Sequence, residues 1–115
     1  MVRGVDLSKV IAVKKPEPKP EDNLKWIVAA ADLKPPKSKP GSFTVVTFQN
    51  KRDHRIKLFW VDYGGSLKLY GEIDKGADRQ QNTYSDAVWL VTDEKDKPLG
   101  YFISGQKVAL AVIPK

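Results

Sequence analysis

From Ser42 onward the chain is cut into short β-branched and aromatic runs, each closed by residues that tolerate turn dihedrals, and this rhythm leaves few folds open. The runs are Phe43–Gln49, Ile56–Tyr63, Leu67–Ile73, Ala87–Thr92, Leu99–Ile103 and Lys107–Ile113. Gly64-Gly65, Lys75-Gly76, Glu94-Lys95-Asp96-Lys97-Pro98 and Ser104-Gly105-Gln106 separate them. Connections this short predict mostly antiparallel neighbours. Ile56, Leu58 and Trp60 alternate with Lys57, and Val108, Leu110 and Val112 alternate with Ala109 and Ala111, so each strand is predicted to turn one face to a shared core. The expectation is an all-β fold, an antiparallel two-sheet sandwich of about seven strands, over residues 42–115.

Ahead of it, residues 1–41 read as a Pro/Lys-rich N-terminal extension and linker. The clusters Pro16/Pro18/Pro20 and Pro35/Pro36/Pro40 stop regular elements, because proline fixes φ and has no backbone donor. Between them, over residues 21–34, two readings fit. Leu24, Ile27, Val28 and Ala31 follow the spacing of a short helix, while Leu24, Trp26, Val28 and Ala30 alternate as a strand. Three consecutive alanines favour the helix and Trp26-Ile27-Val28 the strand. Earlier, Val10-Ile11-Ala12-Val13 is a short apolar run suited to a sheet edge or an extended arm.

Composition narrows the function. The chain has no cysteine, hence no disulfide, thiolate nucleophile or cysteine-based metal site, and this leaves the compartment open. Its longest uncharged apolar run, Trp26–Ala31, is far short of the roughly 20 residues that span a bilayer, so no membrane partner is expected. Met1–Leu7 lacks the apolar stretch and cleavage site of a signal peptide. The net charge of +6 divides as +4 over residues 1–41 (nine Lys/Arg, five Asp/Glu) and +2 over residues 42–115 (eleven and nine). The N-terminal excess is interleaved with proline and acids rather than aromatics, so nucleic acid is not the expected partner.

Enzyme chemistry finds no foothold. His54 is the only histidine and lies in the charged turn Asn50–Arg55. No serine sits in a Gly-x-Ser-x-Gly context, and no glycine-rich phosphate loop precedes a helix. Asp62, Glu72, Asp74, Asp78 and Asp86 lack the spacing of a calcium loop, and Asp93–Lys97 reads as a solvated hairpin tip. The reading is a non-catalytic chain without metal or cofactor, monomeric.

The aromatics are more informative. Trp60, Tyr63, Tyr70, Thr83-Tyr84 and Trp89 have two uses: the indoles can fill the core, or the flat faces and hydroxyls can wall a shallow slot for an extended peptide, where a prolyl ring stacks well. The string Phe48-Gln49-Asn50, Trp60-Val61-Asp62-Tyr63-Gly64-Gly65, Tyr70, Gly76, Arg79, Thr83-Tyr84 and Val88-Trp89 resembles the β domain of the von Hippel-Lindau tumour suppressor family. From Trp60 to Trp89 the spacing is similar to that family's Trp-x-x-(aromatic), Tyr, Gly, Arg, Ser-Tyr-x-x-His-x-Trp pattern without a gap. The resemblance implies a β sandwich that recognises a hydroxyproline-containing peptide, with Trp60, Tyr70 and Trp89 around the ring and Thr83 where the family's serine bonds the hydroxyl. Ala87 stands where the family has a second hydroxyl-contacting histidine. The family's helical ligase-recruiting domain has no counterpart, so the expectation is a distant member, standing alone or part of a larger bacterial protein. The candidate ligand-binding residues are Trp60, Tyr63, Tyr70, Arg79, Thr83, Tyr84 and Trp89, for a proline- or hydroxyproline-containing partner. The competing expectation is a spacer domain with every aromatic in the core.

Overall fold

A computed structural model describes residues 22–29 and 34–115. Its strands are β1 (Asp22–Asn23), β2 (Ile27–Val28), β3 (Phe43–Asn50), β4 (Ile56–Val61), β5 (Leu67–Ile73), β6 (Asp78–Tyr84), β7 (Val88–Thr92), β8 (Pro98–Ile103) and β9 (Ala109–Ile113). They form a four-stranded sheet, β1-β9-β3-β6, and a five-stranded sheet, β2-β8-β7-β4-β5. The expected two-sheet all-β sandwich is therefore the fold.

Alternation builds the core. Val46 and Phe48 of β3 and Ala109, Ala111 and Ile113 of β9 face Ile56, Leu58, Ile73, Trp89, Val91 and Phe102 of the other sheet, all buried. Phe48 lies edge-on to Trp89 and Phe102 at 5.8 and 6.0 Å, an arrangement that places the positive ring edge on the negative face. A second apolar cluster, Val61, Val88 and Leu90 with Phe59 and Tyr101, occupies the other face of the five-stranded sheet. Both faces of β7 are thus apolar, which is why Val88–Thr92 is buried throughout.

Three features depart from the sequence reading. No helix occurs among the described residues; the strand alternative holds at Asp22–Asn23 and Ile27–Val28, which add one short strand to each sheet. Trp26 fixes this course by lying on Gly100 so closely that a Cβ there would collide with its ring, whose centroid is 5.2 Å from that of Phe102. Packing of one indole into that notch overrides the local helical spacing. The last strand, β9, pairs in parallel with both β1 and β3, so the sandwich is not antiparallel throughout. Finally, β6 (Asp-Arg-Gln-Gln-Asn-Thr-Tyr) has no apolar alternation, because as an edge strand it buries only Thr83. The apolar run at residues 10–13 lies outside the described residues.

The hairpin tip at residues 93–97 is organised by Asp93, whose Oδ1 accepts from the Lys97 and Lys95 amides; those hydrogen bonds hold its carboxyl below the usual range. At the same end of the sandwich Asn50, 1% exposed, ties two loops together. Its Nδ2 donates to the carbonyls of His54 and Ile73, each at 2.9 Å, and its Oδ1 accepts from Arg52 N at 2.9 Å. Asn50→Ala should cost about 2–3 kcal/mol by stranding these buried groups. Asn50→Asp, which sets a carboxylate against carbonyls, should cost at least as much. Urea unfolding checks both, and a loss under about 0.5 kcal/mol for either would contradict this role.

Candidate functional site

The recess begins at a register shift. Between β4 and β5, Leu58 pairs with Gly71 and Phe59 with Leu69, leaving Tyr70 without a cross-strand partner. Such a bulge re-aims the extra side chain. The Tyr70 ring meets Trp89 edge-to-face at 4.9 Å and an interplanar angle of 90°. Trp60 stands 6.4 Å from Tyr70 and 5.3 Å from Tyr63, again edge-on. The four rings enclose a cavity of about 140 Å³ rather than stacking into a solid block.

Burial divides these rings by role. Trp89 is 2% exposed and belongs to the core, whereas Tyr70 and Tyr63 are 44% and 53% exposed and form walls. Trp60 is half-buried and packs against the core from its margin. Trp89 therefore fills the core, while Tyr63 and Tyr70 stand half in water beside the cavity.

The floor comes from the other sheet. In β6, Thr83 faces inward and its Oγ1 accepts the Trp89 indole N–H at 3.0 Å. A hydroxyl can accept twice and donate once, so Thr83 keeps its proton and one lone pair. Ala87 contributes a buried methyl beside it. The remaining wall is the strap Lys34–Gly41. Ser38 N donates to Val61 O, Lys39 N donates to Asp86 O, and Ser38 Oγ accepts from Val88 N at 2.7 Å. Gly41 lets the strap touch β6's end, since a Cβ there would collide with Ser85.

Six of the seven sequence candidates line this cavity: Trp60, Tyr63, Tyr70, Thr83, Tyr84 and Trp89. Tyr84 does so from the strand's turn of face, because its ring lies 6.0 Å from Phe43, its cross-strand partner, on the side away from Thr83. Arg79 stands apart. Its guanidinium lies over Gly71, donating to Gln81 Oε1 and to Tyr70 O, so it braces the bulge from behind. Ser38, Lys39 and Asn82 line the cavity without having been singled out in the sequence. Ser38 and Lys39 sit in a proline-rich stretch with no local signal of what they touch, and Asn82 in a strand with no apolar pattern.

Elsewhere the acids serve locally. Asp62 Oδ1 accepts from Gly64 N and Ser66 N, Glu72 and Asp74 pair with Arg55, and Asp78 accepts from Gln49. Among the described residues no group of three His, Asp or Glu side chains is placed to hold a metal.

Comparison with protein families gives a match to the VHL beta domain over residues 38–105, more than half of the chain. No curated protein matches the chain. The VHL β domain is in general a substrate-binding module that recognises hydroxyproline-containing proteins. The matched span takes in the whole cavity lining, from Ser38 to Trp89.

The division between wall and core has a direct consequence for stability. Trp89→Ala should cost about 3–5 kcal/mol as a buried aromatic truncation, and Thr83→Val about 1–3 kcal/mol by stranding the indole N–H. Tyr70→Ala, from a ring nearly half in water, should cost about 1 kcal/mol. Chemical denaturation of the three variants checks the order; a loss for Tyr70→Ala equal to that for Trp89→Ala would contradict it.

Proposed function

We propose that this chain, which belongs to the von Hippel-Lindau (VHL) β domain family, is a non-catalytic module whose aromatic recess takes a proline-like ring from an extended segment of another protein. The observation that carries this reading is the four-ring enclosure of about 140 Å³ above a hydroxyl floor. A cavity of about 150 Å³ accommodates a benzene-sized ring, so one five-membered ring fits. Trp60, Tyr63, Tyr70 and Trp89 remove the ring's faces from water, and Thr83 hydrogen-bonds what the ring carries. The neighbouring edge strands β5 and β6 have unpaired main-chain groups that can hold the flanking peptide. The lining offers hydroxyls, an amide, an ammonium and rings, with no acid–base pair to drive a reaction.

The floor also sets how far a hydroxyl on the ring matters. Thr83 has already accepted from Trp89, and Ala87 supplies no polar atom. On this floor a ring hydroxyl would exchange its water hydrogen bonds for those of Thr83, a near-even trade. Strong discrimination by hydroxyl needs a fuller set of partners, so proline and hydroxyproline peptides should bind within about tenfold of one another. Titration of both peptides while recording amide and indole N–H shifts tests this reading. Shifts at Trp60, Tyr70, Thr83 and the Trp89 indole are expected. An unresponsive recess, with the strap and β6 equally silent, would overturn it.

A further inference from the structure

The charges around the recess all have one sign where they touch it. None of its lining residues is acidic, and Lys39 forms part of the wall. Lys68, on β5, holds its Nζ 5.8 Å above the Trp60 ring. Arg79, on β6, binds Tyr70 O and Gln81 but no carboxylate. Lys39 and Lys68 come from two separate elements, the strap and β5, one in the lining and one at the Trp60 ring, while Arg79 stays behind the bulge. The ion pairs among the described residues, Arg55 with Glu72 and Asp74 and Lys57 with Asp96, involve none of them. Two acids lie close by. Asp62 is turned into its own loop, and Asp86 shares an adjoining hollow with Lys37 and Lys39, where it is outnumbered.

Aromatic walls alone would also suit a cationic ligand, since ring faces attract ammonium groups. Here that choice is disfavoured: Lys68 already occupies a face of Trp60, and no carboxylate in the lining would compensate a second cation. Building on the ring-binding reading, we infer that the partner segment is acidic, carrying Asp or Glu on either side of the residue whose ring enters the recess. The neutral ring takes the apolar centre, and the flanking carboxylates meet Lys39 and Lys68 beside it. Exposed rim charges of this kind steer encounter and select partners, and salt screens them.

The test uses the full chain and three proline-centred peptides of equal length, flanked by Ser/Gly, by Asp/Glu or by Lys, with affinity read by calorimetry. At about 20 mM salt the acidic peptide should bind about tenfold more tightly than the neutral one, and the Lys-flanked peptide most weakly. That preference should shrink to about twofold or less at about 0.5 M salt, where the neutral peptide changes little, and the ratio of acidic to neutral affinity should fall likewise in the double variant Lys39→Gln/Lys68→Gln. Both substituted side chains are exposed, so the fold should survive. Equal affinities for the acidic and neutral peptides, or tightest binding of the Lys-flanked one, would overturn this inference and leave ring binding standing. Failure of all three to bind would overturn the ring-binding reading, and the acidic partner with it.

Discussion

Trp89 donates its indole proton across the sandwich to Thr83, and at 3.0 Å that bond is where core and recess become one structure. Trp89 stands on the five-stranded sheet and Thr83 on the edge of the four-stranded one. The indole packs against Phe48 below and meets Tyr70 at its margin, so the ring that closes the core also lines the cavity. A buried N–H without a partner is costly, and Thr83 is held in place to prevent that. The hydroxyl's direction is thereby fixed before any ligand arrives, which is the condition for reading a ligand at low entropic cost.

Around that bond, three local irregularities open the cavity instead of letting the sheets seal. The bulge at Tyr70 turns one edge of the five-stranded sheet inward, with Arg79 bracing its carbonyl from the opposite edge. The strap Lys34–Gly41 crosses the end of β4 and β7 and is pinned at Ser38 and Lys39. The inward position of Ala87 stays small. Each irregularity sits at a sheet edge or a strand end, where the ladder hydrogen bonds can be interrupted cheaply.

The fold was legible where the larger residues of an alternating strand form its buried face; in β9 the reverse holds, and Ala109 and Ala111 enter the core instead of Leu110 and Val112. Ile56, Leu58 and Trp60 alternate with Lys57 in the sequence, and all three turn toward the core in the structure. Legibility failed where burial leaves no periodic mark. The edge strand β6 is polar at all six positions before Tyr84, and the parallel partners of β9 are named by no residue within it. The segment 22–29 fitted two periods at once, and the notch at Gly100, some seventy residues away, decides between them. In the recess the aromatic positions were visible by type and spacing, but their division into core and wall was not. That division depends on a bulge, which adds one residue without changing composition. Ser38 and Lys39 reach the cavity only through tertiary contacts of a proline-rich stretch.

The central claim is that a ring enters between Trp60, Tyr70 and Trp89 above Thr83. Intermolecular nuclear Overhauser effects from the pyrrolidine protons of a saturating proline peptide measure this directly. The predicted result is contacts to the Trp60 and Trp89 indole protons and to the Tyr70 ring, with the Thr83 methyl close by. Contacts confined instead to Leu67, Leu69 and Ile103, the exposed apolar residues on the other face of the five-stranded sheet, would contradict it.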